Sequence, residues 1–86
     1  MNVEIKLFGA FRDYEADARV RLELTPEATV ADVRSALASH ATVHWPNFRP
    51  ALLAHSAFAS ERAVLREGDP IPADGQMAVL PPVSGG

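Results

Sequence analysis

The histidine pair His40 and His44 has the spacing closest to that of a metal site. Residues four apart lie on one face of a helix, so both imidazoles can face one ion if a helix extends that far. No third ligand stands at a suitable spacing, and Trp45-Pro46 interrupts the segment directly afterwards. We therefore predict no metal site and interpret both histidines as polar residues at the end of a helix.

The other polar residues form no recognisable catalytic set. The serines lack the context of a nucleophile elbow, and Asp13, Glu15 and Asp17 are typical of a solvated loop. Gly68 and Gly75 lack the glycine spacing that binds phosphate. The absence of cysteine excludes disulfides, thiolate metal ligands and a cysteine nucleophile. We expect the chain to catalyse no reaction by itself.

The last residues, PPVSGG, offer a different chemistry. Pro81 and Pro82 stiffen the start of this segment, which lowers the entropy lost when a partner binds it. Gly85 and Gly86 have no Cβ, so their backbone fits a channel too narrow for side chains. An ionised terminal carboxylate can attack the α-phosphate of a nucleotide, and the acyl-adenylate so formed can accept sulfur. The residues alone leave open a second interpretation, a disordered terminus that happens to be small.

Composition is that of a single ordinary globular domain. The 86 residues are 48% hydrophobic and 22% charged, with a formal net charge of −3. The chain has no basic run, which argues against nucleic-acid binding. It also has no apolar stretch near the ~20 residues of a membrane span, and no signal pattern. We expect no nucleic acid or membrane as a partner, and a cytoplasmic location.

Alternating hydrophobicity predicts two strands near the start of the chain, at 3–8 and 19–24. In the first of them, Phe8 falls on the face opposite the core. The intervening stretch begins at Gly9 and is polar, so it is predicted to be a turn or longer loop that joins an antiparallel pair.

One amphipathic helix is predicted from about residue 30 to 40. Thr29 stands at its N-cap, and Asp32 can complete a capping box. Residues 42–54 contain two prolines and no clear period, so they are predicted to be irregular, with one helical turn at 51–54.

The second half of the chain predicts the remaining strands. Residues 56–65 indicate a strand or short hairpin with its turn near Ser60 and Glu61, and 76–80 indicate a last strand that Pro81 ends. The pairing within 56–66 stays open.

Together these elements predict an α+β domain at 1–80 and an extended tail at 81–86. The first and last strands are expected to be parallel neighbours at the centre of the sheet. Phe8 and Leu80 would then form an exposed apolar patch at the start of the tail, and such a patch is typical of a partner interface. Two unrelated surface hydrophobes are the alternative.

Three stretches resemble the MoaD family, the small sulfur-carrier subunits of molybdopterin synthase. They are LFGAFRD at 7–13, TVADVRSAL at 29–37 and DGQMAVLPPVSGG at 74–86, and the total length is also similar. The resemblance implies a β-grasp, ubiquitin-like fold, with a mixed sheet packed on one main helix and a flexible C-terminal tail. The segment 56–66 departs from the family, because Ser60-Glu61 replaces the Asn-Gly turn that many members carry.

The resemblance also implies a function. Gly86 would be adenylated with ATP by a MoeB-like E1 enzyme and converted to a thiocarboxylate with sulfur from a donor. The tail residues would insert into a MoaE-like large subunit, in a heterotetramer of two small and two large subunits, and donate sulfur to precursor Z (cyclic pyranopterin monophosphate). These tail residues are Pro81, Pro82, Val83, Ser84 and Gly85. The chain itself would bind no cofactor, and Gly86 would need no proteolytic trimming before activation.

Other functions remain open from the sequence. A ThiS-like carrier for thiazole synthesis, or for another sulfurated product, shares this fold and chemistry. A ubiquitin-like protein modifier would be linked through Gly86 to lysines of its targets. A plain interaction module would not need Gly85 or Gly86 at all.

Overall fold

A computed structural model describes residues 1–82 as five strands, two α-helices and a 3-10 helix. In chain order these are β1 (Asn2–Leu7), the 3-10 helix (Gly9–Tyr14), β2 (Arg19–Glu23), α1 (Val30–His44), α2 (Pro50–Ala54), β3 (Ala57–Ala59), β4 (Val64–Leu65) and β5 (Gln76–Leu80). The tail residues Val83, Ser84, Gly85 and Gly86 lie outside the described residues.

The five strands form one mixed sheet in the order β2-β1-β5-β3-β4. β1 is antiparallel to β2 and parallel to β5, and β5 is antiparallel to β3. The parallel pair at the centre was predicted and is confirmed. A parallel pair needs a long crossover, which the chain supplies through α1 on one face of the sheet. This arrangement is the expected β-grasp fold.

The core lies between α1 and the inner face of the sheet. Every second residue of the central strands is buried, as the alternating pattern predicts. The helix buries one stripe with helical spacing. The buried residues of β1, β5 and α1 are Val3, Ile5, Leu7, Met77, Val79, Val30, Val33, Leu37 and Ala41.

Helix α1 begins as predicted. Thr29 is the N-cap, and its backbone amide donates to the Asp32 carboxylate at 2.9 Å. The next amide, of Val30, donates to the carbonyl of Asp69 at 2.9 Å. The Ala31 amide donates to the carbonyl of Glu67, also at 2.9 Å, so the loop after β4 accepts two of the hydrogen bonds that a helix start leaves unpaired.

Two aromatic residues explain where the structure differs from the prediction. The polar stretch after β1 is a 3-10 helix, because Phe11 within it is fully buried. α1 continues to His44, beyond the predicted end near residue 40, and Trp45 then enters the core with 4% of its surface exposed. The rings of Phe11 and Trp45 lie 6.2 Å apart. Burial of these two rings, which the local pattern does not encode, decides both element boundaries.

The segments left open by the sequence are also resolved into elements. The predicted turn at 51–54 is the short helix α2, and 56–65 is the hairpin of β3 and β4, paired as Phe58 with Leu65. Its turn begins at Ser60, as predicted, and the Ser60 amide donates to the Ala63 carbonyl at 2.9 Å. Among the described residues, no helix has both the length and the hydrophobicity to cross a membrane.

Candidate functional site

The tail starts at the edge where both central strands end. β1 and β5 are parallel, so their carboxyl ends meet at one edge of the sheet, and Leu7 pairs with Val79 there. Phe8 and Leu80 each follow one residue later, on neighbouring strands and on the face opposite the core. The pairing register therefore brings these two predicted interface residues together at the start of the tail.

The two residues differ in exposure. Phe8 is 44% exposed, whereas Leu80 is half-buried and pairs with Ala57 of β3. Phe8 is therefore the larger apolar surface of the pair. Their role in binding a partner stays a prediction.

The outer face of the sheet beside Phe8 carries three alanines with short side chains. Ala57, Ala59 and Ala78 lie side by side on this face, because β3 and β5 pair in that register. The small side chains of Ala59 and Ala78 line a shallow groove of about 200 Å³. Its lining residues are Lys6, Phe8, Ala59, Ser60, Glu61, Gln76, Met77 and Ala78. We call this surface the outer groove.

Basic side chains border the outer groove on the side of β2, although the whole chain has a net charge of −3. Arg19 and Arg21 both contact Glu4, at 3.5 and 3.1 Å. Lys6 is exposed and forms no ion pair with any residue of the described range. Two arginines thus share Glu4, although Arg21 also contacts Asp17 at 3.5 Å, and Lys6 adds a further positive charge beside Phe8.

At the start of the tail, Pro81 is half-buried and Pro82 is exposed. Leu80 is the last residue of β5, and the division into a domain at 1–80 and a tail at 81–86 stays a prediction. The catalytic role predicted for Gly86, and the tail roles of Val83, Ser84 and Gly85, fall outside the described residues and stay predictions.

The histidine pair lies elsewhere, at the end of α1. The ring centroids of His40 and His44 are 4.6 Å apart, but residues 1–82 contain no group of three side chains able to hold a metal ion. His40 instead contacts Glu15, with 2.8 Å between Nε2 and Oε2. An ionised carboxylate only accepts hydrogen bonds, so His40 Nε2 is the donor. Trp45 Nε1 donates to the same oxygen at 2.6 Å.

These hydrogen bonds perturb the carboxyl group of Glu15. Partial burial raises its pKa, but the hydrogen bonds from His40 and Trp45 outweigh burial, and the pKa lies below its ordinary value. The sequence places Asp13, Glu15 and Asp17 in a solvated loop; Asp13 and Asp17 are exposed as expected, whereas Glu15 is half-buried and hydrogen-bonded. Its partners are 25 and 30 residues away, so no local signal reveals them.

The comparison with protein families decides the class of the chain. The sequence model of the ThiS family matches residues 5–86. The chain belongs to the ThiS family. This family of ubiquitin-like sulfur carriers also includes MoaD, so the predicted superfamily is confirmed at that level. The chain is accordingly a member of a family of ubiquitin-like sulfur carriers.

Solved structures agree with the fold of the ThiS family. One crystal structure of SAMP1 from Haloferax volcanii is 23% identical with a TM-score of 0.68, and the match covers 100% of both chains. A second, of H. volcanii small archaeal modifier protein 1, is 25% identical with the same TM-score, and covers 95% of this chain and 98% of that one. The UBL domain of Plasmodium falciparum Dsk2 is 14% identical, with a TM-score of 0.61, and covers 95% and 97%. No curated protein sequence matches this chain.

Proposed function

We propose that this member of the ThiS family carries sulfur for molybdopterin synthesis, on the carboxylate of Gly86. A MoeB-like E1 enzyme binds both ATP and the tail. The carboxylate attacks the α-phosphate, pyrophosphate leaves, and a sulfur donor then displaces AMP to give the thiocarboxylate. The observation that carries this proposal is that Pro81 directly follows the central strand β5, at the edge of the sheet where the exposed Phe8 also lies.

The acceptor complex is a MoaE-like large subunit, in a heterotetramer of two small and two large subunits. Phe8 and Leu80 contact its surface, and Pro81 to Gly85 enter its active site. Within that site the thiocarboxylate sulfur of Gly86 bonds to a carbon of precursor Z while a C–O bond at that carbon breaks. Water then hydrolyses the thioester so formed, which leaves the sulfur on the product and restores the carboxylate. A dithiolene contains two sulfur atoms, so two charged copies of this chain are used for each product. Because the large subunit supplies the reaction site, this chain needs no cofactor of its own.

Reconstitution tests this proposal in two steps. Incubation with ATP, a MoeB-like enzyme and a sulfur donor is expected to change the intact mass by one oxygen-to-sulfur exchange. Addition of the large subunit and precursor Z is then expected to give the dithiolene. A matched chain that lacks Gly86 should do neither. An unchanged mass in the first step, or dithiolene formation without Gly86, would refute the proposal.

A ThiS-like role in another pathway predicts the same thiocarboxylate but a different acceptor. The MoaD assignment rests on the resemblance of LFGAFRD and of the tail, and on length. If the thiocarboxylate forms and precursor Z is not converted, the sulfur serves another product, such as a thiazole.

A protein modifier is the second candidate, and the fold shared with small archaeal modifier protein 1 favours it. Activated Gly86 would then form isopeptide bonds, seen as ladders on other proteins. Lys6 is the only lysine of the sequence, so any lysine-linked chain of this protein would have to pass through Lys6. Lys6→Arg is expected to abolish such self-linkage and to leave sulfur transfer intact.

A further inference from the structure

Gly9 lies in contact with the first residue of the tail. It directly follows Phe8 and has a φ of +56°, in the left-handed region that favours glycine. A Cβ at this position would stand 2.6 Å from Cγ of Pro81 and 3.4 Å from its Cδ. Carbon atoms in ordinary contact are separated by about 3.5–4.0 Å, so no side chain fits between Gly9 and the proline ring.

The other described glycines do not share this relation to the tail. A Cβ at Gly68 would meet nothing within 4 Å, and one at Gly75 would collide with the backbone of Asn2 at the start of β1. Gly75 therefore serves the pairing of the sheet. At Gly9, by contrast, the three nearest atoms all belong to Pro81.

We propose that Gly9 is a positioning residue for the tail. Because it has no side chain, the ring of Pro81 lies against the start of the 3-10 helix, and this contact sets the direction in which the chain leaves the sheet. The ring is bonded to its own backbone nitrogen, so it moves only together with the chain. A methyl group at Gly9 would displace Pro81 by roughly 1 Å, and the rigid Pro82 that follows would carry this change forward.

The benefit of this contact rests on the proposed function. A carrier must deliver its terminal carboxylate into the active site of a partner, and misplacement of a reacting group by about 1 Å can lower a rate by roughly 100-fold. The contact itself does not depend on that function and can be measured separately.

The direction of the tail can be read from a spin label. The chain has no cysteine, so Ser84→Cys provides a unique attachment point for a nitroxide. Paramagnetic broadening of backbone amides then maps which part of the domain the tail passes. Gly9→Ala is expected to change this map, whereas Gly68→Ala, the matched control, should leave it as in the wild type.

Gly9→Ala has two effects, displacement of the Pro81 ring and strain in the backbone at a positive φ. Variants that lack the ring separate these two effects. Pro81→Ala, with Gly9 unchanged, should alter the broadening map because it removes the ring that contacts Gly9. This variant still tests the proposal if Gly9→Ala does not fold. Gly9→Ala combined with Pro81→Ala should match Pro81→Ala, since no ring is left to displace. A wild-type map for Gly9→Ala, or for Pro81→Ala, would overturn the proposal.

The same variants, unlabelled and with Ser84 intact, are then tested with ATP and the MoeB-like enzyme. We expect kcat/KM for adenylation of Gly9→Ala to fall by about tenfold or more, and that of Gly68→Ala to stay unchanged. An unchanged value for Gly9→Ala would overturn the role in delivery. If the wild-type chain is not adenylated at all, the proposed function fails, while the broadening map still decides the positioning role.

Discussion

At the residue scale, the chain has few side chains that could react with its own activated end. An acyl-adenylate at Gly86 would acylate accessible thiols and amines, and the sequence has no cysteine and one lysine. The seven arginines have guanidinium groups that remain protonated and are poor nucleophiles, which leaves the one lysine amine and the imidazoles of three histidines. The reactive end therefore meets few competing nucleophiles on other copies of the same protein.

Phe8 is the residue whose substitution best tests the partner interface. Phe8→Glu is expected to weaken binding to the large subunit by roughly tenfold or more, since it places a charge in an apolar contact. The fold should persist because Phe8 is 44% exposed and lies outside the core. Isothermal titration measures the affinity, and thermal unfolding checks the fold.

Val43→Glu provides the matched control for Phe8→Glu. Val43 is 77% exposed on α1, away from the outer face of the sheet, and receives the same charge. We expect its affinity to equal that of the wild type. Equal affinities for all three proteins would show that Phe8 does not contact the partner.

At the element scale, the segment after β1 is held against the end of α1. Glu15 accepts hydrogen bonds from His40 and Trp45, and Tyr14 stacks on the Trp45 ring with centroids 4.6 Å apart. The same segment begins at Gly9, where the tail contact lies. The helix therefore fixes one end of the segment whose other end supports Pro81.

The pH dependence of stability tests the hydrogen bonds that Glu15 accepts from His40 and Trp45. The pKa of Glu15 is lower in the folded chain, so its stabilising contribution is present above the unfolded pKa and is lost as pH falls through the folded value. Glu15→Gln should therefore reduce the free energy of unfolding by about 1 kcal/mol at pH 7. The difference from wild type should narrow as pH falls below about 4.

Denaturant titrations at several pH values measure this difference. Glu27→Gln is the control, because Glu27 is exposed and forms no ion pair or side-chain hydrogen bond within residues 1–82. A deficit for Glu15→Gln that stays constant down to pH 2 would contradict the assignment.

At the scale of the whole molecule, the buried core of the described residues and the proposed chemistry occupy different parts of the chain. The buried core includes Val79 as its last member, and β5 ends one residue later. The sulfur chemistry is proposed for Gly86. Under the proposed function, such a division would let the domain bind a partner while the tail enters the active site of that partner.

Truncation tests this division directly. A chain that ends at Pro82 should melt within about 3 °C of the wild type, because it keeps the whole described core. It should not be adenylated at all. Differential scanning calorimetry and intact mass measure the two properties.

A chain that ends at Ala78 is the contrasting variant. It loses Val79 from the core and two β3 pairs of β5, so it should not fold cooperatively. If the chain that ends at Pro82 were also unfolded, the tail would be part of the domain rather than an appendage.

The sequence by itself determined the inner and outer faces of the strands, the start of α1, and the chemical character of the tail. The faces of the strands follow from a period of two residues, and the helix follows from a period of 3.6 residues and a cap at Thr29. The chemical character of the tail follows from its residue types alone. Periodicity is local, so a single sequence displays it without knowledge of the fold.

Only the tertiary structure decided the burial of Phe11, the hydrogen bonds of Glu15 and the contact between Gly9 and Pro81. Each of these joins residues that are far apart in the chain. The first two lie between the segment after β1 and the end of α1, and the third lies between the neighbouring ends of β1 and β5. The glycine after β1 is a visible local signal for a turn. The parallel register of β1 and β5 decides that Pro81 is the residue beside this glycine, because it brings the carboxyl ends of the two strands side by side.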